Sequence, residues 1–303
     1  MKLLEKQSFI ILKFNIMQIE NKGQDLKVTL DNFDVSYDDI GEGSVPIVFL
    51  HGFPFDKTTW QAQMDALKSS HRVIAYDIRG FGKSTDQDSQ FSIDLFANDL
   101  KDFLEKLNIE KAVICGLSMG GYIALNAFEK FPELFEALIL SDTQCIADTK
   151  EVQEKRYKTI DEIKVEGTTK FNEGFIKSVF HKDTLVNEKN TVEQLKKVVD
   201  ANSKHIITQG LVAIAERSET CSKLNEIDIP LLILCGRQDE VTPLKQSEAM
   251  HAAIDGSKLC IIENAGHVSN LEQPQIFNKH LLAFLKDLGD SNFNKINGKQ
   301  RMV

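Results

Sequence analysis

Short runs that are apolar on both faces recur along the chain, separated by helical stretches. This rhythm restricts the fold more than any other feature. Residues 46–50, 72–76, 111–115, 137–140, 231–235 and 259–262 form the series, each flanked by turn residues. A strand buried on both faces reads this way, and such strands belong to parallel sheets covered by helices. Residues 26–30 and 33–37 alternate more strictly around Asp31-Asn32, which predicts an antiparallel hairpin at the start of the sheet. The fold class expected is therefore α/β: a mostly parallel, eight-stranded sheet flanked by helices. Between the runs, 93–107 places Leu95, Phe96, Leu100, Phe103, Leu104 and Leu107 near one helical face.

The rhythm breaks once. From Thr143 to Asp228 there is no good strand, only amphipathic stretches such as Phe171, Phe175, Ile176, Val179, Phe180 and Val192, Leu195, Val198, Val199. A helical insertion late in a sheet is a candidate lid. Within it, 206–214 is expected to face the sheet edge, because Gly210 permits close approach. The domain boundaries expected are a core over 25–142 and 229–288, and a helical cap over 143–228. An N-terminal extension without order covers 1–24, and a flexible tail 289–303. The apolar Phe9-Ile10-Ile11-Leu12 is cut short by Lys13 and Asn15 and lacks a small-x-small cleavage site, so it reads as an extension rather than a signal peptide.

Chemistry concentrates at the ends of the apolar runs. Val113-Ile114-Cys115 leads into Gly116-Leu117-Ser118-Met119-Gly120-Gly121 and then a helix-like stretch. A serine on a very tight strand-to-helix turn leaves no room for side chains two residues either side, which is why glycines belong there. Such a turn lifts the Ser118 hydroxyl above a helix N-terminus. A serine needs a base held by an acid to become a nucleophile. Asp239 follows the run 231–235, and His267 follows 259–262. The chain order Ser118, Asp239, His267 is that of one hydrolase architecture, and ligands bind past the carboxyl ends of parallel strands. Asp142 also follows a strand and is the alternative acid. Asp56, His71 and His251 read as solvated. Two backbone N–H groups are expected to hold an oxyanion, that of Met119 and that of Phe53 in the loop His51-Gly52-Phe53-Pro54. His51 reads as a hydrogen-bonder holding that loop.

Five landmarks in order carry a family resemblance: His51-Gly52-Phe53-Pro54, Asp77-Ile78-Arg79-Gly80-Phe81-Gly82-Lys83-Ser84, the Gly116–Gly121 turn, Gly236-Arg237-Gln238-Asp239 and Ala265-Gly266-His267. Over about residues 25–288 the chain resembles the α/β-hydrolase superfamily. Within it, the chain is similar to the carboxylesterase, enol-lactonase and cofactor-free haloperoxidase-like group. The resemblance implies Ser118, Asp239 and His267 as the triad, Phe53 and Met119 as the oxyanion hole, and a scaffold role for 77–84. It also implies a serine hydrolase that cleaves a small carboxylic ester or lactone. A perhydrolase or transacylase using the same triad, or a triad-bearing ligand receptor, are the alternatives. A serine rather than an aspartate at 118 disfavours epoxide opening and dehalogenation. Arg156 and Arg217 are candidate cations for a substrate carboxylate.

Composition narrows the partners. A net charge of −9 from 36 basic and 45 acidic residues disfavours nucleic acid and anionic membranes. No phosphate loop or metal-ligand cluster stands out, so no cofactor and no metal are expected. The five cysteines are scattered with no CxxC, which predicts free thiols and a cytoplasmic, reducing setting.

Overall fold

A computed structural model of the protein describes residues 22–87 and 90–300, with side chains described to residue 290. Within the expected N-terminal extension, residues 1–21 lie outside the described residues, as do 301–303 of the expected tail.

The apolar runs become strands. In chain order they are β1 (Gly23–Leu30), β2 (Phe33–Ile40), β3 (Ile47–Leu50), β4 (Val73–Tyr76), β5 (Ala112–Leu117), β6 (Phe135–Ser141), β7 (Leu231–Gly236) and β8 (Lys258–Ile262). They form one eight-stranded sheet in the order β1-β2-β4-β3-β5-β6-β7-β8. β1 pairs antiparallel with β2, and β2 with β4; every later pairing is parallel. The double-faced burial follows from the two-residue period of a strand. Val48 and Leu50 join the core on one face, while Ile47 and Phe49 join the core on the other. β5 and β7 divide their residues in the same way.

Helices cover both faces. α1 (Gln61–Leu67), α2 (Ile93–Lys106) and α3 (Met119–Lys130) follow β3, β4 and β5. α2 starts at Ser92, whose hydroxyl accepts from the Leu95 N–H at 3.0 Å and satisfies one free donor of the first turn. Between β6 and β7 the chain makes α4 (Lys150–Glu166), α5 (Thr169–Val179), α6 (Lys182–Asn187), α7 (Lys189–Asp200) and α8 (Lys204–Ala215), with no strand, as the sequence predicts. α9 (Leu244–Ala253), α10 (Ser269–Glu272) and α11 (Pro274–Gln300) complete the chain. α11 runs on past 289, where the sequence reads as a tail, because its backbone continues a helix already anchored by Phe277, Leu281, Phe284 and Leu285. Among the described residues, no helix is long and apolar enough to cross a membrane.

The cysteine reading needs correction. Cys145 and Cys221, 76 positions apart in sequence, form a disulfide, with Cα atoms 4.9 Å apart; Cys115, Cys235 and Cys260 are free. Sequence spacing carries no trace of this bond, because the fold alone brings the two ends of the insertion together. The bond staples the exit from β6 to the return into β7, where the Thr220 N–H also donates to the Cys145 carbonyl at 2.9 Å. Disulfides persist in oxidising compartments, which counts against the reducing setting expected. The unreduced, denatured chain should alkylate at three cysteines and, after reduction, at all five. Closing so long a loop should make reduction cost about 2–5 kcal/mol of stability, read by denaturant titration with and without dithiothreitol. Five reactive thiols before reduction would remove the staple.

Candidate active site

The parallel register aligns the carboxyl ends of the strands. Leu50 lies opposite Gly116, Leu117 opposite Ser141, and Gly236 opposite Ile262. Residues that follow these strands therefore emerge along one edge. Ser118 is the first residue past β5, at φ 52 and ψ −114, a sparsely populated conformation costing on the order of 1–3 kcal/mol. Backbone bonds hold it there. Its N–H donates to the Ser141 carbonyl, and its carbonyl accepts from the N–H groups of Gly121 and Tyr122 and from the Thr143 hydroxyl. A Cβ at Gly116 would lie 2.3 Å from the Gly120 carbonyl oxygen, and one at Gly120 equally close to that of Leu50. The glycine spacing is thus a steric requirement of the turn.

Ser118, Asp239 and His267 come together although 149 residues separate the serine from the histidine. The Ser118 hydroxyl lies 2.8 Å from His267 Nε2, and His267 Nδ1 lies 2.9 Å from Asp239 Oδ2. The network assigns the tautomer: Nδ1–H donates to the carboxylate and the serine hydroxyl donates to Nε2. Burial alone would raise the Asp239 pKa, but the His267 charge and hydrogen bond, with two bonds from Thr242, bring it below the ordinary carboxylate value. Burial alone would lower the His267 pKa; the charge and hydrogen bond of Asp239, with Asp142 and Glu272 behind it, carry it above the ordinary imidazole value. All three side chains are buried, Ser118 at 7% exposure, Asp239 at 5% and His267 at 1%.

Asp142, the alternative acid, faces elsewhere. It accepts from the hydroxyls of Ser269 at 2.6 Å and Ser141 at 3.0 Å, and from the Gly236 N–H at 2.7 Å. Complete burial, then the nearby Asp239 charge, push its pKa up to about 7. Asp142, Asp239 and the Cys235 sulfur come within 4.8 Å of one another. Both carboxylates are already engaged, and burial pushes the Cys235 thiol far up, so this donor set suits a metal poorly.

His51 holds the loop of residues 51–54 from within. Its Nδ1–H donates to the Gly52 carbonyl at 2.8 Å, and Nε2 accepts from the Ile78 N–H at 3.0 Å. Burial keeps the imidazole neutral by lowering its pKa. Among the described residues, the N–H groups of Phe53 and Met119 have no acceptor. Asp77 binds the loop behind: its carboxylate accepts from the Lys57 and Lys83 N–H groups and pairs with Lys57 Nζ at 3.1 Å. Asp56 caps a turn through the Thr58 N–H, while His71 and His251 bond to Ser70 and Ser257; none of these bonds reaches the triad. Gly210 of α8 lies against the Phe53 ring, where a Cβ would come within 2.5 Å of it, so the close approach read from the sequence occurs at the loop of residues 51–54.

The sequence model of the family described as alpha/beta hydrolase fold matches residues 45–274, which spans every landmark of this edge. The chain belongs to the α/β-hydrolase fold family. It is 28% identical over 260 residues to 3-oxoadipate enol-lactonase 2 of Acinetobacter baylyi, covering 86% of this chain and 96% of that one. It is 28% identical to a non-heme chloroperoxidase of Kitasatospora aureofaciens, covering 85% of this chain and 98% of the other. Among solved structures, a thermophilic esterase from Thermogutta terrifontis superposes with a TM-score of 0.83 at 30% identity, covering 88% of this chain and 99% of that one.

Several residues of this α/β hydrolase escaped the sequence reading. Thr242 donates to both oxygens of Asp239, through its hydroxyl at 2.7 Å and its N–H at 2.9 Å; the Asp-x-x-Thr spacing of such a turn is visible in the sequence. Glu272 joins the histidine loop to the insertion, accepting from the N–H groups of Gly266 at 2.6 Å and His181 at 2.8 Å. The His267 N–H itself donates to the Val179 carbonyl at the end of α5. The contacts to His181 and Val179 cross more than 80 residues and leave no local signal. The expected cationic pair is also revised. Arg156 and Arg217 both pair with the buried Asp148, and Arg217 further donates to the Ile146 and Ile214 carbonyls. The two guanidinium groups share the single Asp148 carboxylate at the root of the insertion, which leaves one positive charge over, and Arg217 Nη2 is buried there without a hydrogen-bond partner among the described residues.

Proposed function

We propose that this protein is a serine hydrolase that cleaves a small carboxylic ester or lactone through an acyl-enzyme. The observation that carries the proposal is the line Asp239–His267–Ser118, with bonds of 2.9 and 2.8 Å, ending on the Ser118 hydroxyl. In this reading, His267 Nε2 takes the Ser118 proton as the oxygen attacks the carbonyl carbon. Asp239 holds the ring and stabilises the imidazolium. The free N–H groups of Phe53 and Met119 receive the oxyanion. His267 then protonates the leaving oxygen and activates a water, whose attack releases the acid. Neither cofactor nor metal enters this sequence of steps.

Esterase and enol-lactonase relatives support the substrate class. The chloroperoxidase relative supports a second reading, in which peroxide replaces water in deacylation. Residues 143–228 act as a cap on a core of 25–142 and 229–288. The Cys145–Cys221 bond argues against a cytoplasmic location.

Turnover of short-chain chromogenic esters and of simple lactones by the purified protein is the test. Multiple turnovers are expected; a single slow turnover with a stable adduct on Ser118 would indicate a receptor instead. The pH dependence adds a sign. His267 acts as a base only when neutral, and its pKa lies above the ordinary value. The acid limb of kcat/KM should therefore have its midpoint above about 6.5. A midpoint below that value would contradict the buried Asp239–His267 pair.

A further inference from the structure

A cavity of about 250 Å³ lies between the starts of α2 and α3, the exit from β6 and the segment that follows α8. Neither Ser118 nor His267 is among its walls, nor are Phe53 and Met119. At its base is Arg217. Its Nε donates to the Ile146 carbonyl, and its Nη1 donates to the Ile214 carbonyl and pairs with Asp148. Nη2 is buried with no partner among the described residues. Asn126 Oδ1, on α3, is buried without a partner too, and Asn126 lines the same cavity. Buried polar atoms are nearly always bonded, because an unmade bond leaves the whole cost of desolvation in place. A donor and an acceptor left over on one cavity point to an occupant that offers both an acceptor and a donor. The space is larger than a bridging water needs: at roughly 30 Å³ each in the liquid, about eight waters would fill it.

Charge decides the class of occupant. Arg156 and Arg217 share the one Asp148 carboxylate, so the base of the cavity carries a positive charge over. Its mouth is acidic. Asp94 is offset there by Lys130 at 2.8 Å, but the exposed Glu216 accepts only from the neutral Tyr157 hydroxyl, at 2.7 Å. The cavity is therefore positive inside and negative at its mouth. A simple anion would suit the base and be repelled at the mouth, and a simple cation would meet the reverse. Between the two ends the walls include Ile93, Ala213 and the Tyr122 ring, whose centroid lies 4.5 Å from the Arg217 guanidinium carbon. The Cys145–Cys221 bond fixes a further wall at Cys145, so little ordering is left for a ligand to bring about.

We propose that this cavity binds a small zwitterionic amino acid, its carboxylate on Arg217 and its ammonium between Asn126 Oδ1 and Glu216. The site is separate from the triad and does not depend on the ester-hydrolase reading.

Thermal midpoints of the purified full chain, measured against rising alanine, valine, propionate and propylamine, are the test. Alanine and valine should raise the midpoint as their concentration rises, because a ligand that binds the folded chain alone stabilises it. Propionate and propylamine each carry half of the charge pattern and should bind at least about tenfold more weakly. Asn126→Leu removes the buried acceptor. Glu216→Gln removes the charge at the mouth and keeps an acceptor for Tyr157, and as a surface change it keeps the test open if Asn126→Leu does not fold. Each variant should weaken amino-acid binding by at least about tenfold. Valine should leave KM for a chromogenic ester unchanged, and a competitive rise in KM would put it at Ser118 and overturn the separate site. Propionate binding as tightly as valine would overturn the zwitterion. No rise with either amino acid, or unchanged binding in the folded variants, would overturn the site. A wild type that turns over no ester would overturn only the hydrolase reading, because the midpoints do not depend on turnover.

Discussion

Replacing Ser118 with alanine is expected to lower kcat for ester hydrolysis by about 10⁴- to 10⁶-fold without unfolding the protein. The loss is large because the hydroxyl is the group that His267 Nε2 approaches at 2.8 Å, and no second nucleophile occupies that place in the mechanism. Any residual rate over water would come from the oxyanion donors and from binding alone. The fold should survive because the turn is held through the backbone of residue 118. The bonds to Ser141, Gly121, Tyr122 and Thr143 use its N–H and carbonyl, and all remain in alanine. Active-site titration with an organophosphonate, together with circular dichroism, reads both halves. Normal turnover by a folded Ser118→Ala protein would end the covalent mechanism.

The second large effect separates the two buried acids. Asp239→Asn should cost on the order of 10⁴ in kcat, because an amide beside Nδ1 favours the wrong imidazole tautomer. It should also move the acid limb of the pH profile downward, since Asp239 is the strongest influence raising His267. Asp142→Asn should cost far less, because the Asp142 carboxylate bonds to Ser269, Ser141 and Gly236 rather than to the imidazole. Its signature lies in stability. A carboxyl with its folded pKa near 7 and its unfolded pKa near about 3.9 keeps its proton in the native state while the unfolded chain has lost it. Stability then falls as pH rises from about 4 to about 7, and Asp142→Asn should flatten that fall. The reverse ranking of activities would make Asp142 the acid.

How far the sequence carries depends on the range of the interaction behind each feature. The strands were legible because burial on both faces writes an apolar residue at every position, as Ile47–Leu50 and Leu231–Gly236 do. The turn at Ser118 was legible because its glycines answer clashes within four residues of chain. The candidate acid was narrower but still readable, since chain order and strand ends favoured Asp239 over Asp142. The surroundings of Arg156 and Arg217 were not legible, for the opposite reason. A cation in a helical insertion shows its charge in the sequence, but not that Asp148 lies within reach.

The sequence by itself determined the layered α/β architecture, the place of the helical insertion and the row of strand ends bearing Ser118, Asp239 and His267. Each depends on periodicity or on local sterics, which a linear pattern records. The tertiary structure alone decided how Glu272 ties the histidine loop to α5 and α6, and that Cys145 reaches Cys221. These contacts join residues 91 and 76 positions apart. They form only where packing of the whole sheet and its insertion brings distant segments within bonding distance, and no spacing along the chain encodes that approach.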